Sequence, residues 1–431
     1  MNYNEISLYA SIPFILMLGA IAILPLTLNH FWEKNKNKLI ISIVLSIPVL
    51  IYLIINGFTR EIVHTMLFDY VPFIILLGSL YTITGGILLT GDIEPRPSTN
   101  TAFLGIGGLL ASFMGTTGAA MLLIRPVIQT NKERQYKVHT ILFFIAIVAN
   151  CGGVLTPLGD PPLFMMYLRG APFQWFFNLY KEWALVNSLL LFLYFIIDSY
   201  YFKKENAYNL INVKSIFRTL KIKGAINFLF LLGVVLSVEF LNEFYLPIIK
   251  ENEYYKFIRE IVILTMAGLS LKYTSDMLRK ENNFTWQPIE EVAYIFLGIF
   301  FTMIPTLMYL QSHSKELGVV NLVQFYYYTG FLSSFLDNTP TAVTFHSLAL
   351  GLGVKTGNIV AGIQEEILIA ISVASVFFGS MTYIGNGPNF MVKAIAEENK
   401  IKMPDFFSYI FKFSIIVLLP IFVLVQLIFI H

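Results

Sequence analysis

Apolar stretches of membrane-crossing length recur along this 431-residue chain, and between them lie short polar segments broken by glycine and proline. Crossing ~30 Å of hydrocarbon takes roughly 20 residues of helix. Leu8 to Leu28, Leu39 to Ile55, Tyr70 to Leu89, Trp183 to Phe202, Ile226 to Leu246 and Phe411 to Ile430 are the plainest such runs. The first has no basic leader, Glu5 being its only charge, so it predicts a span and not a signal peptide. Thr101 to Ile128 and Tyr326 to Leu350 carry polar residues at mid-length, which predicts re-entrant hairpins.

The broken segments come in pairs. Ser112-Phe-Met-Gly-Thr-Thr-Gly-Ala-Ala-Met121 matches Ser334-Phe-Leu-Asp-Asn-Thr-Pro-Thr-Ala-Val343, 222 residues further on. Thr156-Pro-Leu-Gly-Asp-Pro-Pro-Leu-Phe164 matches Thr382-Tyr-Ile-Gly-Asn-Gly-Pro-Asn-Phe390 at an offset of 226. Polar interruptions at corresponding places in two halves point to the substrate site of a secondary transporter. The predicted fold is an all-α polytopic membrane protein of two repeats, 1–202 and 225–431, joined by a cytoplasmic linker at 203–224. Each repeat holds five crossings, one of them broken, plus a re-entrant hairpin. An odd number of crossings forces the second copy to be inverted in the membrane.

Composition and charge agree with this layout. Apolar residues make up 56% of the chain and charged residues 13%, about half the charged fraction of a soluble domain. Basic residues cluster at Lys34–Lys38, Lys132–Lys137, Lys203–Lys223, Lys272–Lys280 and Lys393–Lys412. With both termini outside, every cluster falls on the cytoplasmic face, as the positive-inside rule expects. The expected location is a bacterial inner membrane. A single cysteine, Cys151, excludes an internal disulfide and argues against a cysteine-based metal site. Walker, His-Glu-x-x-His and Gly-x-Ser-x-Gly sequences are absent, so neither a nucleotide cofactor nor an enzyme is expected.

The candidate site follows from the four interruptions. Hairpin one offers Thr116 and Thr117; broken span one offers Asn150, Thr156 and Asp160. Hairpin two offers Asp337, Asn338, Thr339 and Thr341; broken span two offers Thr382, Asn386 and Asn389. Irregular backbone at membrane depth is tolerated only when buried or lining a wet cavity. Its freed carbonyls and hydroxyls can replace the water shell of a small cation. Asp160 and Asp337 carry the strongest argument, because an intramembrane carboxylate costs a few kcal/mol. Asp before Pro-Pro or Asn-Thr-Pro is also a good helix N-cap, and capping does not exclude ion binding. Two acids in a dry cavity oppose each other's ionisation and can trade protons for a transient Na⁺. Glu239 and His346 are further candidates for a proton path, while Arg125 reads as an interfacial anchor and Cys151 as packing beside Gly152.

At these motifs the chain resembles the ion-transporter superfamily of NhaD-type sodium/proton antiporters, arsenite pumps and citrate and dicarboxylate carriers. Ser334-Phe-Leu-Asp-Asn-Thr-Pro is similar to the Ser-Ala-x-x-Asp-Asn-x-Pro signature of the antiporter and arsenite branches. Gly152-Gly-Val-Leu-Thr-Pro-Leu-Gly-Asp160 is similar to a Gly-Gly-x-x-Thr-Pro-Ile-Gly-Asp segment of the NhaD type. The dicarboxylate branch holds substrate with Ser-Asn-Thr at each hairpin tip. Here Asp337 precedes Asn338-Thr339, and hairpin one reads Gly115-Thr-Thr. The resemblance implies exchange of Na⁺ or Li⁺ for H⁺, with cation- or proton-coupled carriage of citrate, another carboxylate or an oxyanion as the alternative. Expected partners are a small cation and a proton (or a carboxylate anion) and the lipid bilayer. A homodimer stays open, and nucleic acid is not expected.

Overall fold

The computed structural model of the chain describes residues 6–91, 94–205, 220–354 and 356–431. Glu5, Lys214, Arg218 and most of the expected linker lie outside those residues. Among the described residues the fold is almost wholly helical. The first half contains α1 (Ile12–Thr27), α2 (Asn35–Ile55), α3 (Thr59–Thr84), α4 (Pro97–Met114) and α5 (Thr116–Thr130). It continues with α6 (Val138–Ile147), α7 (Pro161–Leu168) and α8 (Tyr180–Lys204). The second half contains α9 (Ile226–Phe240), α10 (Phe257–Tyr273), α11 (Gln287–His313), α12 (Leu322–Phe335) and α13 (Asn338–Leu352). It ends with α14 (Glu365–Gly379), α15 (Gly387–Glu398) and α16 (Phe406–Phe429). The strands are short and pair antiparallel: β1 (Leu88–Thr90) with β2 (Lys221–Lys223), and β3 (Ile359–Val360) with β4 (Ile363–Gln364).

Among the described residues, six helical segments are long and apolar enough to cross a membrane: Leu8–Pro25, Asn35–Ile55, Thr59–Thr84, Phe173–Lys204, Gln287–His313 and Phe406–Phe429. Ile15, Phe192, Leu229 and Phe411 face outward from their helices. Other large aromatic residues form the core: Phe73, Phe164, Tyr194, Phe300, Phe377 and Phe422 are fully buried.

Two predicted spans need new limits. The span expected from Tyr70 to Leu89 runs from Thr59 to Thr84, with a π-helical turn at Thr65–Tyr70. Arg60, Glu61, His64 and Asp69 resemble a polar loop in sequence, yet they lie in the helix, where they face a cavity. The span expected from Ile226 to Leu246 stops at Phe240. The Asn242 side chain accepts the Phe244 N–H at 2.9 Å, and this local turn competes with further helix.

Close backbone contact sets the position of the first broken helix. Gly108 of α4 lies against Gly152, so a Cβ on Gly152 would sit 2.7 Å from the Gly108 carbonyl carbon and nearer still to its Cα. Gly152→Ala therefore forces α4 away from the break. We expect a loss of ~3 kcal/mol, the upper end for overpacking, read as a lower unfolding temperature in detergent. Gly19→Ala is the control, since a Cβ there meets nothing within 4 Å.

Packing around these breaks crosses between the halves. α2 packs on α11 and α3 on α10; α5 packs on α15 and α7 on α13; α4 and α12 each pack on the broken helix that follows them.

Candidate functional site

Each interruption uses local chemistry the sequence dictates. Gly115 joins α4 to α5 at φ 82°, a left-handed conformation that favours glycine. Asp337 caps α13, its Oδ1 accepting the Thr339 N–H at 3.0 Å. Asp160 occupies the N-cap position of α7 and Asn386 that of α15, each with proline in the following first turn. The loops are tied down in parallel fashion. Thr156 donates its hydroxyl to the Ser112 carbonyl, and Thr382 donates to the Ser334 carbonyl. Leu158 N–H then donates to Thr156 Oγ1 at 3.1 Å, and Ile384 N–H to Thr382 Oγ1 at 3.2 Å.

Asp160 is the centre, with only 1% of its surface exposed. Its Oδ1 accepts from the Thr116 hydroxyl at 2.7 Å and from the Asn386 amide at 3.2 Å. Its Oδ2 accepts from the Asn338 amide at 2.8 Å. Asn386 also donates to Asn150 Oδ1 at 3.1 Å, and Asn150 donates to Asn389 Oδ1 at 2.7 Å. Asn389 closes the network by donating to the carbonyls of Gly379 and Thr382 at 2.8 and 2.9 Å. Six of the twelve predicted site residues thus form one hydrogen-bonded network that joins all four interrupted elements.

The other six are placed differently. Asp337 is half-buried and caps its own helix, while Thr341 donates to its carbonyl at 3.0 Å. No hydrogen bond joins Asp337 to Asp160; Asn338, next to the one in sequence and bonded to the other, stands between them. Thr339 is buried, and its hydroxyl has no partner. Thr117 is half-buried on the first turn of α5. The hydroxyls of Thr156 and Thr382 are spent on holding the loops.

Of the candidates for a proton path, Glu239 accepts from Gln174 near the surface, outside this network. His346 is fully bonded: Arg169 Nη1 meets its Nδ1 at 3.1 Å and its Nε2 donates to the Ala361 carbonyl at 2.9 Å. Cys151 is a buried packing residue. Sequence reasoning missed Asp69 and Arg169. Glu61, Thr65 and Asp69 recur every four residues, which marks one face of a helix.

Helices α5, α7, α13 and α15 all begin at this network. Their N-terminal ends carry partial positive charge, and the Asp160 carboxylate sits where they meet. Every direct donor to it is neutral.

Interrupted helices meeting at a buried acid inside a bundle of apolar spans describe an integral membrane transporter. The chain belongs to the CitMHS_2 family, described as "Putative citrate transport", which it matches over residues 3–430. No curated protein matches it.

Proposed function

We propose that the protein is a secondary antiporter exchanging Na⁺ or Li⁺ for H⁺, with Asp160 and Asp337 as its ion-binding acids. The observation that carries this reading is the Asp160 carboxylate, desolvated and held by Thr116, Asn338 and Asn386 without a basic residue. Such a site offers negative charge to a cation and, through the same oxygens, a place for a proton. A multiply charged carboxylate would meet two acids and no arginine or lysine there. The family description favours a second reading, cation-coupled carriage of citrate or a related anion. In that case Na⁺ or protons neutralise the acids before the anion enters.

We further infer that 1–202 and 225–431 are inverted copies, with both termini on the outer face. Support comes from the paired sequence motifs and from the reciprocal packing of α2 on α11 and α3 on α10. Equivalent hydrogen bonds from Thr156 and Thr382 to Ser112 and Ser334 point the same way. In this scheme the hairpins enter from opposite faces, and their tips at Thr116 and Asn338 reach the same carboxylate.

The test is reconstitution in vesicles with an imposed pH gradient, followed by Na⁺, Li⁺, K⁺ or citrate. Dissipation by Na⁺ or Li⁺ without citrate is the expected result. Exchange falls at acid pH, where protons outcompete the cation for the same carboxyl oxygens. Citrate uptake that needs Na⁺, with no exchange in its absence, selects the carrier.

A further inference from the structure

The α7 helix has Asp160 before its first residue and Arg169 after its last. Its eight residues set the two ends ~12 Å apart at 1.5 Å per residue. Beside the Arg169 end lies a cavity of about 450 Å³, walled by Arg60, Glu61, His64, Asp69 and Arg169 with Leu307. A second cavity of about 330 Å³ shares His64 and Asp69 as wall residues and continues toward Lys256 and Arg259. Asp69 thus borders both.

Several charges around these cavities are already matched, while among the described residues Arg60, Glu61 and Lys250 have no ion pair within 4.0 Å. Lys256 pairs with Glu253 at 3.0 Å and with Glu243 at 3.2 Å, and His64 lies 3.6 Å from Glu253. Arg259 pairs with Glu260. Two polar atoms of the first cavity are buried without a partner, Glu61 Oε2 and Arg169 Nε. Arg169 is held away from acids by His346 and by Ser347 Oγ at 3.2 Å. Among the described residues, neither Asp69 nor Arg169 takes part in an ion pair within 4.0 Å, although both line the same cavity. Asp69 lies in the π-helical turn of α3, a distortion common at functional sites.

Unpaired charge and unbonded polar atoms around a cavity call for water or an ion between them. We propose that Asp69 is a relay acid, holding a small cation or a proton on its way between the cavity and Asp160. This rests on the antiporter reading and adds a stage to it. Arg169 supplies the opposing charge from the far end of α7. With Asp69 occupied it stays on His346 and Ser347, and with Asp69 empty it turns toward the carboxylate.

The test separates passage from binding. Asp69→Asn should lower Na⁺/H⁺ exchange in vesicles at least ~10-fold, with Na⁺ affinity of the solubilised protein within ~2-fold of wild type. Asp69→Glu should recover part of the exchange, which a purely structural role would not give. Asp69→Asn with exchange within ~2-fold of wild type overturns the proposal. Loss of Na⁺ affinity in Asp69→Asn also overturns it, because the acid would then belong to the Asp160 site. Failure of the antiporter reading shows elsewhere, as wild-type vesicles that take up citrate with Na⁺ and show no Na⁺/H⁺ exchange without it. Should Asp69→Asn not fold, Thr65→Cys decides. That residue lines the cavity, and the native Cys151 is buried. A membrane-impermeant cationic thiol reagent should label Thr65→Cys from one face and block exchange. Labelling without loss of exchange, or no labelling, removes the cavity from the path.

Discussion

Asp160→Asn should abolish exchange while leaving a folded protein. The isosteric amide keeps one acceptor, which can face the Asn338 amide as Oδ2 does now at 2.8 Å. The new NH₂ then meets Thr116, whose hydroxyl can rotate to accept. Asn386 loses one acceptor but retains the Ala149 carbonyl at 3.2 Å and Asn150 Oδ1 at 3.1 Å. The cost is about 1 kcal/mol, the size of one net hydrogen bond. Function fares worse, because the site loses its formal charge and its exchangeable proton together. We expect a fall in Na⁺/H⁺ exchange of roughly 100-fold, equivalent to ~2.7 kcal/mol, measured in vesicles against wild type. Asp160→Ala should unfold more easily than Asp160→Asn, since it strands two buried donors, the Thr116 hydroxyl and the Asn338 amide. If Asp160→Asn instead gains citrate uptake, the charge was a barrier to an anion and the carrier reading takes its place.

The sequence carried the parts of this arrangement that repeat. Gly115 with Thr116 and Asp337 with Asn338 lie where hydropathy breaks, and proline after Asp160 and within reach of Asn386 marks helix starts. Those signals are local, so the four interruptions could be located from sequence alone. How the side chains pair is not local. Asn150 and Asn389 are 239 residues apart and meet only after the helices pack. The same applies to β1 and β2, which pair Thr90 of the first half with Lys221 at the end of the linker. Asp69 escaped notice for a different reason. A hydropathy reading starts a helix where charges stop, and α3 carries Arg60, Glu61, His64 and Asp69 inside its first three turns. Only the cavity beside them explains why a membrane-length helix tolerates that face. Thr156 and Thr382 show the opposite limit: their positions were legible, but their hydroxyls serve the loops.

Asp337→Asn should separate charge from structure more cleanly than any change at Asp160. The carboxylate makes one local bond, Oδ1 to the Thr339 N–H at 3.0 Å, and Thr341 uses the backbone carbonyl, which no substitution alters. Asparagine caps helices about as well as aspartate. Stability should therefore stay within ~0.5 kcal/mol of wild type, whereas Asp337→Ala should lose ~1 kcal/mol with the cap. Any larger effect on transport is then electrostatic. Asp337 lies beside Asn338, the residue bonded to Asp160, and beside Thr339, whose buried hydroxyl is unbonded. A cation arriving there would gain the Asp337 charge and the Thr339 oxygen together. We expect Asp337→Asn to lose at least ~10-fold in exchange, or ~1.4 kcal/mol, with a matching loss of apparent Na⁺ affinity. Both are measured in vesicles alongside the unfolding temperature in detergent. Near-normal exchange would make Asp337 a helix cap and nothing more, and would leave Asp160 to bind ion and proton alone.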